Sequence, residues 1–365
     1  VRLLFVNQRL TYTSTSSYTL DLALALRRLG EEVQICTMGG DLRKVFSDLG
    51  IESYLVRFNP LSFWKLLDFL HDYQPDLIHI QNNRSARFGQ KIARRLDVPY
   101  VLTVHRPPDD SSRISHWLLG GVIAANEVIR QRLVNNHGIQ KQLIRVIHHG
   151  IDVNALSPEK ERKDEGQPPD LIPVIGSIGR LSRIKGHHVF LKAARRVIEL
   201  GVEAMFAIVG EGEEEWRLRR LVKEYGLEKK VTFSPHLPNR RELYRIFDIV
   251  AVPTLSGGIG LTALEAMAMA KPVIASAVGE ILHLIQDGKT GLLVPEGDWE
   301  ALAAKIVELI KSPDRGRSLG REARAYVVEN FSLAPMIEAT RQFYEEVHWR
   351  MRERGLAGGV PAGKG

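Results

Sequence analysis

The 365-residue chain has almost no cysteine: Cys36 stands alone, so no disulfide can form within the chain. A single thiol suits a reducing compartment. Long hydrophobic runs are also missing. The longest small-apolar stretch, residues 261–279, is broken by Glu265, Lys271 and Pro272, which argues against a membrane-spanning helix. No secretory leader is evident, because Leu3-Leu4-Phe5-Val6 is too short for an apolar core and runs into Asn7-Gln8-Arg9. A cytoplasmic location is the simplest expectation, at the inner face of the membrane if a partner is lipid-linked. What remains is ordinary for a globular protein, with 44% hydrophobic and 25% charged residues. The length suggests two domains.

The net charge of +7 is unevenly spread. Residues 1–160 carry 20 Lys and Arg against 15 Asp and Glu, and the rest carries 30 against 28. A basic first half suits either general solubility or attraction to anionic lipid headgroups, phosphorylated acceptors or nucleic acid.

Short apolar runs alternate with amphipathic segments. In the first half, strands are predicted at 3–6, 33–37, 77–80, 100–104, 121–124 and 145–147, and helices at 18–29, 63–73 and 90–96. Residues 157–173 hold Pro158, Pro168, Pro169 and Pro173 among polar residues and read as a linker. The alternation restarts with strands at 174–179, 204–209, 231–233, 249–252, 273–275 and 292–294. Helices are predicted at 187–200, 213–225, 240–247, 260–269 and 299–311. The fold class is therefore α/β, with two doubly wound Rossmann-like domains facing a cleft. The expected boundaries are 1–160 for the first domain, 161–172 for the linker and 173–335 for the second. A helix within 336–365 is expected to pack back on the first domain, followed by a flexible tail.

Two segments carry chemistry. The predicted strand 174–179 runs into Gly179-Arg180-Leu181-Ser182-Arg183-Ile184-Lys185-Gly186. A guanidinium and an ammonium five residues apart, beyond the carboxyl end of a strand, suit a diphosphate, although a solvated basic loop would look the same. The second segment is Pro253-Thr254-Leu255-Ser256-Gly257-Gly258-Ile259-Gly260, which opens the helix bearing Glu265. Amides at that helix start can bind an anion, and a carboxylate farther along can accept hydrogen bonds from vicinal hydroxyls. Glu265 lies in the apolar run Leu-Thr-Ala-Leu-Glu-Ala-Met-Ala, so its charge needs a partner.

In order along the chain come Gly179-Arg180-Leu181 with Gly186-His187, Ile208-Val209-Gly210-Glu211-Gly212, Leu261-Thr262-Ala263-Leu264-Glu265-Ala266-Met267-Ala268, Lys271-Pro272-Val273-Ile274-Ala275-Ser276 and Asp287-Gly288-Lys289-Thr290-Gly291-Leu292-Leu293-Val294. With Val122–Glu127 and Val146–Asp152 upstream, this series resembles glycosyltransferase family 4, the "group 1" enzymes of the GT-B fold. The resemblance covers nearly the whole chain. It implies a retaining, metal-independent transferase moving a sugar from a nucleotide-diphosphate donor to a polysaccharide, lipopolysaccharide or glycolipid acceptor. By the same resemblance, Arg180 and Lys185 would neutralise the leaving diphosphate, and His105 would lie near the transferred sugar. Gly258, Ile259, Gly260 and Leu261 would meet the phosphates, and Glu265 the ribose. His236 and Leu237 would face the base. Apart from the resemblance, the hydroxyls and N–H groups of Ser16 and Ser17, just before the helix expected near Tyr18, can cap it and approach a phosphate or sugar. No cofactor and no nucleic-acid partner is implied. A glycan or lipid-linked acceptor is implied, and peripheral contact with anionic membrane would suit the basic first half.

Several positions depart from the family pattern. Gly257 stands where a Glu is usual, eight residues before Glu265, and Ile259 where an aromatic is common. Glu280 replaces a glycine, His283 stands where a Glu is common, and Ser14-Thr15-Ser16-Ser17 replaces a glycine-rich loop. A second reading is therefore a catalytically weak or silent member that binds a nucleotide sugar or supports a partner enzyme. A third is another enzyme of the same fold, such as a sugar-nucleotide epimerase.

Overall fold

A computed structural model describes residues 1–11, 13–57, 60–106, 120–158, 172–235, 239–256 and 260–353. They form two compact units, 1–150 joined by the chain from Leu333 onward, and 151–332. Most of the expected linker, residues 161–171, lies outside the described residues.

The first unit begins with β1 (Arg2–Asn7), α1 (Ser14–Arg28), β2 (Glu32–Thr37), α2 (Arg43–Asp48), β3 (Ser53–Leu55) and α3 (Pro60–Tyr73). There follow β4 (Leu77–Ile80), α4 (Asn83–Leu96), β5 (Tyr100–Val104), β6 (Gly121–Ala124), α5 (Glu127–Asn135) and β7 (Ile144–Val146). The strands pair in parallel in the order β3-β2-β1-β4-β5-β6-β7. Successive side chains point to opposite faces, so Leu4 and Val6 feed one core while Leu3 and Phe5 feed the other. Both faces are buried, which is why these strands read as continuous apolar runs. Side-chain caps fix the helix starts. Ser16 N–H donates to Thr13 Oγ1, Ser85 N–H to Asn82 Oδ1 and Ile129 N–H to Asn126 Oδ1. The Thr13 cap starts α1 at Ser14, four residues before the expected start, so Ser14–Ser17 form its first turn and not a loop ahead of it.

The second unit comprises β8 (Val174–Ile178), α6 (His187–Glu199), β9 (Met205–Val209), α7 (Glu215–Glu224), β10 (Val231–Ser234), α8 (Arg240–Arg245) and β11 (Ile249–Val252). It continues with α9 (Leu261–Ala268), β12 (Val273–Ser276), α10 (Ile281–Leu284), β13 (Leu292–Val294), α11 (Trp299–Lys311) and α12 (Pro313–Asn330). Its sheet is also all parallel, in the order β10-β9-β8-β11-β12-β13. Ile249 and Ala251 enter one core, Val250 and Val252 the other.

The last helix, α13 (Leu333–Glu353), returns to the first unit. Its Phe343, Tyr344 and Val347 join the core of Leu3, Phe5, Val101 and Ile123. The Tyr344 hydroxyl lies 2.6 Å from Nδ1 of buried His79, whose Nε2 is 2.6 Å from Thr103 Oγ1. Among the described residues no helix is long and apolar enough to cross a membrane.

Candidate functional site

In the second unit the strand order reverses between β8 and β11, so the loops leaving these two strands diverge and open a crevice beyond their carboxyl ends. A small, open pocket lies there, lined by Lys185, Val252, Thr254, Gly260, Leu261, Thr262, Val278 and Ile281.

The backbone holds Lys185 at this pocket. Gly179 N–H donates to the Val209 carbonyl, Leu181 N–H to Glu211, and Glu214 N–H to Leu181, each at 2.9 Å. The Gly210-Glu211-Gly212 segment is thus a cradle for the basic loop. Leu255 N–H donates to the Ile184 carbonyl at 2.8 Å, tying the other end of that loop to the chain leaving β11. Gly186 then enters α6 with φ +70°, where a Cβ would sit 1.9 Å from the Pro253 carbonyl oxygen. Only glycine combines that left-handed turn with that contact.

The opposite wall is the start of α9. Gly260 caps it at φ +67°, and a Cβ there would meet Leu284 Cδ1 at 2.1 Å. The first α-helical bond runs from Leu264 N–H to the Gly260 carbonyl, so the amides of residues 261–263 precede the ladder. No acidic residue stands in that first turn. An ammonium, a helix N-terminus and the threonines Thr254 and Thr262 therefore share one pocket with the apolar Val252, Leu261, Val278 and Ile281. That combination favours an anion.

Of the residues expected from sequence, the structure brings Lys185, Gly260 and Leu261 together here. Arg180 and Glu265 are not among the lining residues. The Arg180 guanidinium donates from Nη2 and Nε to Glu213 Oε2 at 3.0 and 3.2 Å, in an exposed pair. Glu265 is buried one turn into α9 and has the partners its charge demands. Arg240 Nη1 donates to Oε1 and the Tyr244 hydroxyl to Oε2, both at 2.8 Å. Burial and the Glu265 charge push the Tyr244 phenol well above its ordinary pKa. His236, Leu237, Gly257, Gly258 and Ile259 lie outside the described residues.

Thr254, Thr262, Val278 and Ile281 went unrecognised as pocket residues. Thr262 stands inside the motif that ends at Glu265. Val278 and Ile281 flank Glu280, which is buried as the cap residue of α10, whereas His283 is exposed.

In the first unit, His105 follows β5 and is buried, with Nδ1 2.9 Å from His149 Nε2. The Tyr18 ring faces both imidazoles, at centroid distances of 4.9 and 4.4 Å. Burial lowers the His105 pKa to about 4 and that of His149 well below its ordinary value. Two neutral imidazoles can share the hydrogen bond, one donating and one accepting; two imidazolium rings cannot. His149 was not singled out, although the segment Val146–Asp152 was. Ser16 is fully buried with its hydroxyl 3.2 Å from that of Thr13, so it serves the helix cap, and Ser17 sits half-buried in the same turn. His187 opens α6 with Nδ1 3.2 Å from Ser177 Oγ, in keeping with a residue that begins a helix.

The family described as glycosyl transferases group 1 matches residues 158–326, and the one described as glycosyltransferase family 4 matches residues 15–155. The chain belongs to the group 1, family 4 glycosyltransferases. D-inositol 3-phosphate glycosyltransferase of Nocardia farcinica is 33% identical to this glycosyltransferase over 320 residues, covering 79% of this chain and 70% of the relative. The Corynebacterium jeikeium protein of the same name is 30% identical, covering 74% and 72%. A glycosyltransferase from Rickettsia africae superposes with a TM-score of 0.80 at 23% identity, over 95% of this chain and 98% of that one. HepE of Anabaena, solved with UDP and glucose, gives 0.80 at 20% identity over 94% and 99%. These neighbours establish the transferase's fold as GT-B.

Proposed function

We propose that this glycosyltransferase takes its sugar from a nucleotide-diphosphate donor, keeps the anomeric configuration and needs no bound metal. The observation that carries this reading is the convergence of Lys185 and the α9 N-terminus on one pocket at the strand-order switch. As the glycosidic bond breaks, negative charge develops on the departing diphosphate. A fixed ammonium and preorganised amides stabilise that charge more than they stabilise the bound donor, which is what accelerates transfer. Arg180 adds a second cation when the diphosphate displaces Glu213. The departing phosphate can itself take the acceptor's proton, so the protein's main task is to position two substrates.

HepE was solved with UDP-glucose, which makes a uridine donor the first to test. The relatives' name, D-inositol 3-phosphate glycosyltransferase, points to a phosphorylated alcohol as acceptor. The basic first half suits that acceptor or its lipid-linked counterpart in polysaccharide, lipopolysaccharide or glycolipid assembly, with peripheral contact at an anionic membrane. Glu265 would meet the ribose hydroxyls and His105 the sugar.

The deciding experiment incubates the protein with UDP-, GDP- and ADP-sugars in chelator, with and without inositol phosphate. Released nucleotide diphosphate is measured, and the product anomer is assigned by proton NMR. Release in chelator with retained configuration is expected. Nucleotide binding with neither hydrolysis nor transfer would favour the silent reading that Gly257 motivates.

A further inference from the structure

The helix α4 carries Arg84, Arg87, Lys91, Arg94 and Arg95 and no acidic residue. At 100° per residue the five fall within an arc of about 100°, a single stripe along the helix. The opposite face is spent on the sheet: Ser85, Gly89, Gln90, Ile92 and Ala93 are buried, and a Cβ on Gly89 would already clash with Ile80 at 2.5 Å. All five cations are exposed, and none forms an ion pair among the described residues. Five unpaired like charges on one face repel each other, so the stripe carries a cost that an external anion would relieve.

Beside the stripe, α3 presents Trp64, 56% exposed. The Arg95 guanidinium carbon lies 5.8 Å from the Trp64 ring centroid, and Lys91 Nζ lies 4.4 Å from that of Phe63. The other charged or titratable groups on the exposed face of α3 are Lys65, Asp68, His71 and Asp72, and Asp97 ends α4. The two helices together keep a clear positive excess. A convex row of long basic side chains with one exposed indole fits a plane of phosphates over an apolar layer, with the cations at headgroup level and the ring at the boundary. Single-stranded nucleic acid would instead call for a groove with several stacking rings.

We propose that the α4 stripe and Trp64 form a docking surface for an anionic lipid bilayer. This rests on the membrane-side acceptor reading above and names the surface that would serve it. The surface is tested on the full chain by sedimentation with phosphatidylcholine vesicles containing or lacking about 30 mol % phosphatidylglycerol, with and without about 0.5 M NaCl. Binding is expected only to the anionic vesicles and is lost in salt. Brominated lipid should quench part of the tryptophan fluorescence, and Trp64→Phe should remove that part. The triple change Arg87→Gln, Lys91→Gln and Arg94→Gln should weaken partitioning about 100-fold while sugar-nucleotide hydrolysis and the circular dichroism spectrum stay unchanged. Equal binding to neutral vesicles, no quenching by brominated lipid, or tighter binding to a DNA duplex than to anionic vesicles would each overturn the proposal. Hydrolysis measured without vesicles separates its failure from failure of the transferase reading.

Discussion

Lys185 and Glu265 are held in opposite ways. Lys185 reaches the pocket because Gly186 and the Ile184–Leu255 hydrogen bond fix the backbone beneath it, while its own side chain is only half-buried. Replacing it with Ala should therefore leave stability within about 0.5 kcal/mol. Donor turnover should fall about 100- to 1000-fold, the scale of one lost donor to a developing anion. A thermal melt and single-turnover hydrolysis test both halves; activity near that of the unmodified protein would move the diphosphate elsewhere. Glu265 is the converse, a buried carboxylate held by Arg240 and the Tyr244 hydroxyl. Arg240→Ala strands that charge and should cost about 2–3 kcal/mol in urea unfolding, below the full value for a buried pair because Arg240 is partly exposed. Adding Glu265→Gln should recover part of the loss; independent, additive losses would mean the two side chains are not coupled. Glu213→Gln, which breaks only the exposed pair with Arg180, should cost under about 1 kcal/mol. The need for a partner at Glu265 was legible in its apolar neighbours. The partners were not, because Arg240 and Tyr244 lie on another helix, 25 and 21 residues away, and only the tertiary fold brings them together.

Among the elements, buried strands were the easiest to read, since a strand covered on both faces is apolar throughout. Five elements escaped, among them α5, which buries only Ile129 and Leu133, and the four-residue α10. The edge strand β3 is three residues long and partly exposed, so it has neither length nor periodicity. The short α2 buries only Phe46. The helix α12 runs for 18 residues, yet Gly316 and Gly320 disguise it. A Cβ on Gly320 would lie 2.0 Å from the Ala270 carbonyl oxygen, so a residue that weakens the helix signal is what lets α12 cross the 270–272 turn. Gly121 does the same for α13. Its Cβ would come within 2.5 Å of Phe343 Cζ and 2.7 Å of Val347 Cγ2. Gly121→Ala should therefore destabilise the first unit by about 1–3 kcal/mol through overpacking. Phe343→Leu in the same chain should relieve part of that cost. Equilibrium unfolding of the two single variants and the double variant measures the coupling; strict additivity would show that α13 does not bear on β6.

At the scale of the whole chain, the two units differ in how much buried imidazole they hold. The first contains His79, His105, His137 and His149, all buried, and the second contains His187, with the half-buried His188 beside it. Burial lowers His79 to about 3, His105 and His187 to about 4, and His149 well below its ordinary value. In the unfolded chain each returns to about 6.5. Between these values the unfolded state binds protons that the folded state refuses, so stability is full above about pH 6.5 and declines as the pH falls toward 4. Each histidine so lowered contributes a slope of at most about 1.4 kcal/mol per pH unit, and three titrate against one unit while a single fully buried one titrates against the other. Acid should consequently open the first unit before the second. Limited proteolysis in mild urea at about pH 7.5 and about pH 5, with fragments mapped by mass spectrometry, reads the order directly. New cuts at the lower pH should fall first within residues 1–150 and α13. His79→Gln, which keeps a polar group between Thr103 and Tyr344 but cannot take up a proton, should reduce the pH sensitivity of those cuts. First cuts within residues 151–332, or an unchanged pH response in that variant, would mean that the buried imidazoles do not set the acid limit of this fold.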